Sequence, residues 1–368
     1  MRGERLEQAE LTELGLVGDR AYALIDAYTG KVVSAKSVKL FPGLFGCRAA
    51  FVEPPRSGGE LPPVRITLPD GMAVTSNSSD VDRVLSTYFR REVTLARAAP
   101  DDFAIDQYHP DVEDVDPAGY RDTVVDQKLG SAFFAQAGLA SPVPIGSFMD
   151  LFPLSILTTS TLEQLSELRP QSRFDQRRFR MNVIVDAKEG GFVENDWIGH
   201  QLAIGNAVRL SVALPDPRCV MTTLAQEELP KDTDVLRTLT RHNRVQVGAA
   251  GLFPCAGVYA VVEAPGTLRV GDRVALPGSG MNSAQATGPG ASSGLAGPTS
   301  IYFARRILLP DGLDSPDRAM RVPRMANAGS SVAENLPLGS SVNRAIKKAS
   351  EFCTPPTNAL ALTMVTIK

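Results

Sequence analysis

The densest run of reactive side chains is Pro215-Asp216-Pro217-Arg218-Cys219-Val220-Met221-Thr222-Thr223. Two prolines bracket a turn after an apolar strand at 208–212, so Cys219 is expected at a strand end or in a loop, where a side chain can face a cleft. The thiolate is the form that binds soft metals, and a guanidinium next to it favours that form. Composition leaves a second reading open, a buried structural cysteine, because free cysteine is among the most buried residue types. A second cluster, 173–182, runs into a strand at 183–186. Along an extended chain Arg178, Arg180 and Asn182 alternate and share one face. Two guanidiniums and an amide in a row suit a phosphate or another fixed oxyanion; they equally make a charged edge that discourages aggregation. A third cluster, 15–20, ends in Arg20 at the start of a strand reaching Asp26, placed either to meet an anion or to pair with Asp19 or Glu13.

Other chemistries have no foothold. His109, His200 and His242 stand in unrelated contexts, with no H-E-x-x-H, and no G-x-S-x-G occurs, which argues against zinc or serine hydrolysis. Cys47, Cys219, Cys255 and Cys353 form no C-x-x-C pair, which argues against a zinc ribbon or a disulfide scaffold. Cys255 and Trp197 read as core residues, and Cys47 has no assigned role.

The elements that must position these residues are short strands separated by turn chemistry. Segments 22–26 and 31–34 flank Tyr28-Thr29-Gly30, 64–68 and 72–75 flank Pro69-Asp70-Gly71, and 202–204 and 208–212 flank Gly205-Asn206. Segments 257–263 and 268–274 are joined across Pro265-Gly266, giving a fourth hairpin. Helical spacing with a capping residue is found at 80–90 and 162–168, and 235–242 is another short helical candidate. The fold class is therefore mainly β with peripheral helices, largely antiparallel and barrel-like, and no glycine-rich phosphate loop follows a buried strand.

In all, 368 residues with 43% apolar content allow two to three domains with a substantial core. A net charge of −3 supplies no global basic field for nucleic acid or an anionic bilayer. The first residues carry no apolar leader segment and no run is long enough to span a membrane, so a cytoplasmic location is expected, with neither nucleic acid nor membrane as partner. From 277 to 300, 20 of 24 residues are Gly, Pro, Ser, Ala or Thr, which reads as a linker. Beyond it, 301–368 holds two short apolar runs (301–309, 359–367) and one helical pattern (342–352), and disorder or loose packing is expected there.

In chain order, Gly15 to Arg20 with Asp26 and Ser34-Ala35-Lys36, the run from Phe152 to Leu162, Arg178 to Asn182, Glu194-Asn195-Asp196-Trp197, Arg218-Cys219, Pro265-Gly266 and Val270-Gly271-Asp272 together resemble a MOSC protein over roughly residues 3–276. The resemblance is to the group that joins a MOSC N-terminal β-barrel domain to a MOSC domain and includes the mitochondrial amidoxime-reducing component and bacterial relatives. It implies a smaller β-barrel-like domain at 1–100, packed with an antiparallel β-barrel MOSC domain at 101–276. It further implies a molybdenum cofactor, a molybdopterin whose metal is held by a thiolate at Cys219, with Arg20, Lys36, Arg178, Arg180, Asn182 and Arg218 as cofactor-binding residues and Cys219 and Asp150 as catalytic residues, Asp150 as a proton relay. The implied function is reduction of N-hydroxylated compounds such as amidoximes and hydroxylamines; the alternative is a non-catalytic cofactor carrier or sulfur-handling protein. Two small polar residues that follow the acidic position in the animal relatives are here Leu151 and Phe152. The family pattern places a strand ending in Lys-Ser just before Arg2-Gly3-Glu4, so either the true start lies upstream of Met1 or this version lacks one barrel strand and part of the phosphate clamp. The tail holds only Cys353 where some relatives carry a four-cysteine iron–sulfur module, so electrons are expected from a separate reductase, cytochrome b5-type or ferredoxin-type protein.

Overall fold

A computed structural model describes residues 1–276 and 365–367. The linker at 277–300, the run at 301–309, the helical pattern at 342–352 and Cys353 lie outside the described residues.

The main sheet runs in the order Val274–Ala275, Gln201–Ile204, Val208–Pro217, Leu252–Ala264, Leu154–Thr158, Val183–Val185, Val365–Ile367, and it curls into a nearly closed barrel. Every pairing along it is antiparallel except Leu154–Thr158 with Val183–Val185, where the helix Thr159–Leu168 makes the crossover that a parallel pair requires. The strand Leu154–Thr158 is buried at all five positions, as expected of a strand covered on both faces. Trp197, Leu202, Leu210, Val212, Val258 and Leu268 fill the interior. Leu11 and Leu16 belong to the same cluster, so the beginning of the chain packs into the larger half. A second core gathers Leu24, Phe41, Phe45, Ile66 and Leu85 beneath the sheet Arg48–Phe51, Val64–Thr67, Ala73–Thr75 and the helix Val81–Phe89.

The mainly β class is observed, and the turns at Pro69-Asp70-Gly71 and Gly205-Asn206 join antiparallel neighbours as expected. The fourth hairpin does not form. After Pro265 the chain leaves the barrel strand, and Gly266–Arg269 pairs with Gln8–Thr12 instead, joining the two ends of the described segment. Of the last residues, Val365–Ile367 are described, and they pair antiparallel with Val183–Val185. At Gly257, in the left-handed region at φ 83°, a Cβ would run into the Ile156 carbonyl and the Met181 methyl, so the barrel strands can approach this closely only with glycine there.

Candidate functional site

Cys219 follows the end of the long strand Val208–Pro217 and caps the 3-10 turn Val220–Thr223. It is half-buried, whereas Cys47 and Cys255 are fully buried. Pairing with Leu252–Ala264 fixes the strand up to Pro217 opposite Cys255, and the Arg218 N–H donates to the Pro254 carbonyl at 2.7 Å, so the thiol is aimed by backbone rather than by a flexible loop.

Around it the chain gathers cations from three distant segments. The Lys36 ammonium, on a nearly buried side chain, donates to Asp150 Oδ2 at 3.1 Å, and the Arg20 guanidinium donates to Asp150 Oδ1 at 2.8 Å. Burial opposes the ionised form of Asp150, yet Lys36 and Arg20, with Arg180 nearby, hold its carboxyl well below the ordinary carboxylate range. Burial likewise opposes the charge on Lys36, but Asp150 and then Cys219 outweigh it, so the ammonium is held charged. Arg218 donates to Asp216 Oδ2 at 2.5 Å and to the Phe179 carbonyl, while its Nε is buried without a hydrogen-bond partner. Asp216, raised by its own burial, also accepts from the Tyr259 hydroxyl, and the Tyr259 ring stacks on Phe152 at 5.1 Å.

Arg180 differs from these cations. Its guanidinium lies 5.2 Å from the Phe45 ring centre and donates no hydrogen bond to any described residue. Burial lowers its pKa to about 10, helped by Arg20 and opposed by Asp19 and Asp150. Arg20 and Arg180 both sit at positive φ, 50° and 57°. A non-glycine residue there costs about 1–2 kcal/mol, strain of the kind that concentrates at functional sites.

Two of the residues expected in this cluster are engaged elsewhere. The extended row from Arg178 to Asn182 is not observed: Gln176–Arg178 is a 3-10 turn and Arg180 is left-handed, so the alternation of a strand does not apply. Arg178 is fully buried and donates to the carbonyls of Arg173, Thr222, Leu224 and Pro230, which turns it away from any phosphate and makes it the clamp of the segment after Cys219. Asn182 accepts from the Ser155 N–H and hydroxyl, each at 3.0 Å, and donates to Asp19 at 2.9 Å. It thereby fastens Asp19, in the turn that carries Arg20, to the strand Leu154–Thr158.

Residues 146–275, which contain the whole cysteine-bearing strand pair, match the model of the MOSC domain. These residues form a MOSC domain. Similar proteins are mitochondrial amidoxime-reducing component 1 of Mus musculus, 30% identical over 136 residues, and mitochondrial amidoxime reducing component 2 of Rattus norvegicus, 32% identical over 132 residues. The first alignment covers 36% of this chain and the second 35%, and each covers 38% of the relative, so the chain matches well under half the length of these proteins.

In the MOSC domain the sequence pointed to Cys219, Arg218, Arg180 and Asp150, and the structure brings all four together, with Arg20 and Lys36 contributed from outside the matched segment. Asp216 and Tyr259 were not assigned roles. Asp216 lay in plain view between two prolines, and Tyr259 is the one residue with a polar side chain in the apolar run 256–262, a position where a hydroxyl needs a partner.

Proposed function

We propose that this protein is a molybdenum-cofactor-dependent oxidoreductase that reduces N-hydroxylated compounds such as amidoximes and hydroxylamines. What supports the reading above all is the convergence of a half-exposed thiol with Arg20, Lys36 and the uncompensated Arg180 around one carboxylate, inside a domain shared with amidoxime-reducing components.

The residues present fit such a cofactor. A thiolate suits a soft metal, and a cation with no hydrogen-bonded partner together with a buried, unpaired Arg218 Nε suits an added anion. Cys219 would hold the metal, and Arg20, Lys36 and Arg180 would meet the phosphate. When bound, the cofactor supplies two-electron chemistry at the substrate nitrogen. The protein's own part is electrostatic. Lys36 keeps its proton, held charged by Asp150, while Asp216 and the Phe179 carbonyl fix Arg218 next to Cys219. Reduction of an amidoxime takes up two electrons and two protons and releases an amidine and water. Asp150 is ionised at neutral pH and therefore acts as an acceptor that holds Arg20 and Lys36, in place of the proton relay expected of it. The groups at this site that carry a proton are the Lys36 ammonium and the Tyr259 phenol, whose pKa is raised by burial and by Asp216. A separate electron-donor protein of the reductase, cytochrome b5 or ferredoxin type would supply the electrons.

Protein purified from a cofactor-producing host is expected to contain one molybdenum per chain and to oxidise a reduced viologen in the presence of benzamidoxime. Cys219→Ser should lose both properties while keeping its circular-dichroism spectrum. Bound metal without turnover would reassign the protein as a cofactor carrier, and folded protein that takes up no molybdenum would remove the reading altogether.

A further inference from the structure

We infer that the cleft beside the cysteine-bearing turn, which shares Phe45 with the Arg180 site, binds a small aromatic carboxylate. A cavity of about 520 Å³ opens between the two cores. Its size is that of small-molecule pockets. Phe41, Leu44 and Phe45 form one wall, and Val220 and Leu224 form the other. Apolar walls that face each other normally close up, because dispersion and apolar burial both favour contact. Part of the seam does close, since Leu224 packs against the smaller core, and the space that remains is kept open because each wall is fixed independently. The phenylalanines are anchored in the smaller core with Leu24, Ile66 and Leu85, and the opposite wall is held by Arg178 through the Thr222 and Leu224 carbonyls, at 3.3 and 3.1 Å. The cavity is therefore formed before any ligand arrives.

The polar groups around it are answered within the protein, with one exception. The Thr223 hydroxyl donates to the Val220 carbonyl, the Tyr108 hydroxyl to Asp122, and Thr233 Oγ1 accepts from Arg237. Among the charged groups, Asp111 is paired with Arg121 at 2.7 Å and Arg237 with Asp234 at 3.1 Å. Lys231 is exposed and has no hydrogen bond or ion pair among the described residues. An aromatic-sided cleft with one free ammonium at its mouth recognises an aromatic ring carrying an anionic group. The inference stands on this geometry and not on the function proposed above. Because Val220 directly follows Cys219, an occupied cleft also braces the turn that carries the thiol.

Calorimetric titration with 2-naphthoate and with the neutral 2-naphthamide tests it without any cofactor. The acid is expected to saturate one site per chain and to bind roughly three- to fivefold more tightly than the amide, the increment of one exposed ion pair. Lys231→Gln should erase that preference and leave amide binding unchanged. Ala225→Trp, an exposed position on the cavity lining, should weaken both ligands by at least about tenfold. Absence of saturable binding to the wild type, equal affinity for acid and amide, or full binding by an Ala225→Trp variant of unchanged melting temperature would each overturn the proposal. Lys231→Gln changes only a surface side chain, so the charge arm remains decisive even if the tryptophan variant fails to fold.

Discussion

Arg178 and Arg180 stand two residues apart and face opposite environments. The first is sealed in a socket of four backbone carbonyls and has no accessible surface. The second lies over an aromatic ring among other cations, with no hydrogen-bond acceptor of its own. One region uses a guanidinium to hold the chain together; the other holds a guanidinium in readiness for something outside the chain. A charged side chain thus points to a ligand when its donors are unanswered, and to architecture when they are all occupied. Sequence spacing does not separate the two cases, because both residues are arginines in one basic run.

The largest effect should come from the socket. Arg178→Ala leaves the Thr222, Leu224 and Pro230 carbonyls without their donor and is expected to cost about 3–5 kcal/mol of stability, read from chemical denaturation. Arg180→Ala should stay within about 1 kcal/mol of wild type, on the stabilising side, since it removes a cation disfavoured by burial and by Arg20. The same variant should retain much less molybdenum. Equal destabilisation by the two substitutions would erase the distinction between socket and site.

A middle-sized effect is expected at Asp150, where pH sharpens the comparison. Its folded-state pKa is depressed, so its contribution is complete above the unfolded value of 3.8 and is lost as pH falls through the folded value. Asp150→Asn should therefore cost about 1–2 kcal/mol at pH 7, and the gap to wild type should shrink steadily below about pH 4. A gap that stayed constant from pH 7 to pH 2 would mean that the carboxylate charge is not what holds Arg20 and Lys36.

What could be read in advance follows the same line. Local chemistry was legible: Pro69-Asp70-Gly71 makes its turn, and the helical spacing at 80–90 gives the helix Val81–Phe89. Cys219 does follow a strand end, but the proline-bracketed turn expected after 208–212 is not there: the strand runs on through Pro215 and Pro217, paired with Val258 and Cys255 across register shifts that accommodate the missing N–H donors. Pairings set by distant partners were not legible. Nothing near Pro265-Gly266 says that the next strand will join Gln8–Thr12, and the helix Gly130–Gln136 starts on a glycine at φ 56° with no side-chain cap to announce it. The direction of Arg178 was misread for a related reason: the alternation argument holds only in extended chain, and a single 3-10 turn reverses it. Asp216 and Tyr259 escaped because a buried hydrogen bond between two strands distant in sequence leaves no spacing to find.

The smallest effect should come from Arg177, another arginine of the run, which faces solvent. It pairs with Asp175 at 2.8 Å, Glu227 at 2.7 Å and Glu228 at 2.6 Å, and Arg2 reaches Glu227 from the beginning of the chain. Three carboxylates around one guanidinium look stronger than a carbonyl socket, yet water and salt screen them, and long side chains lose entropy when they are held in place. Arg177→Ala is accordingly expected to cost at most about 1 kcal/mol at low ionic strength, and less at about 0.5 M salt as the Debye length shortens. The Arg178→Ala deficit should hardly respond to salt, since its partners are buried carbonyl dipoles. Denaturation of both variants at two salt concentrations separates the two situations. A salt-independent loss above about 2 kcal/mol at Arg177 would show that the surface network, and not the Arg178 socket, fastens the segment that carries Cys219.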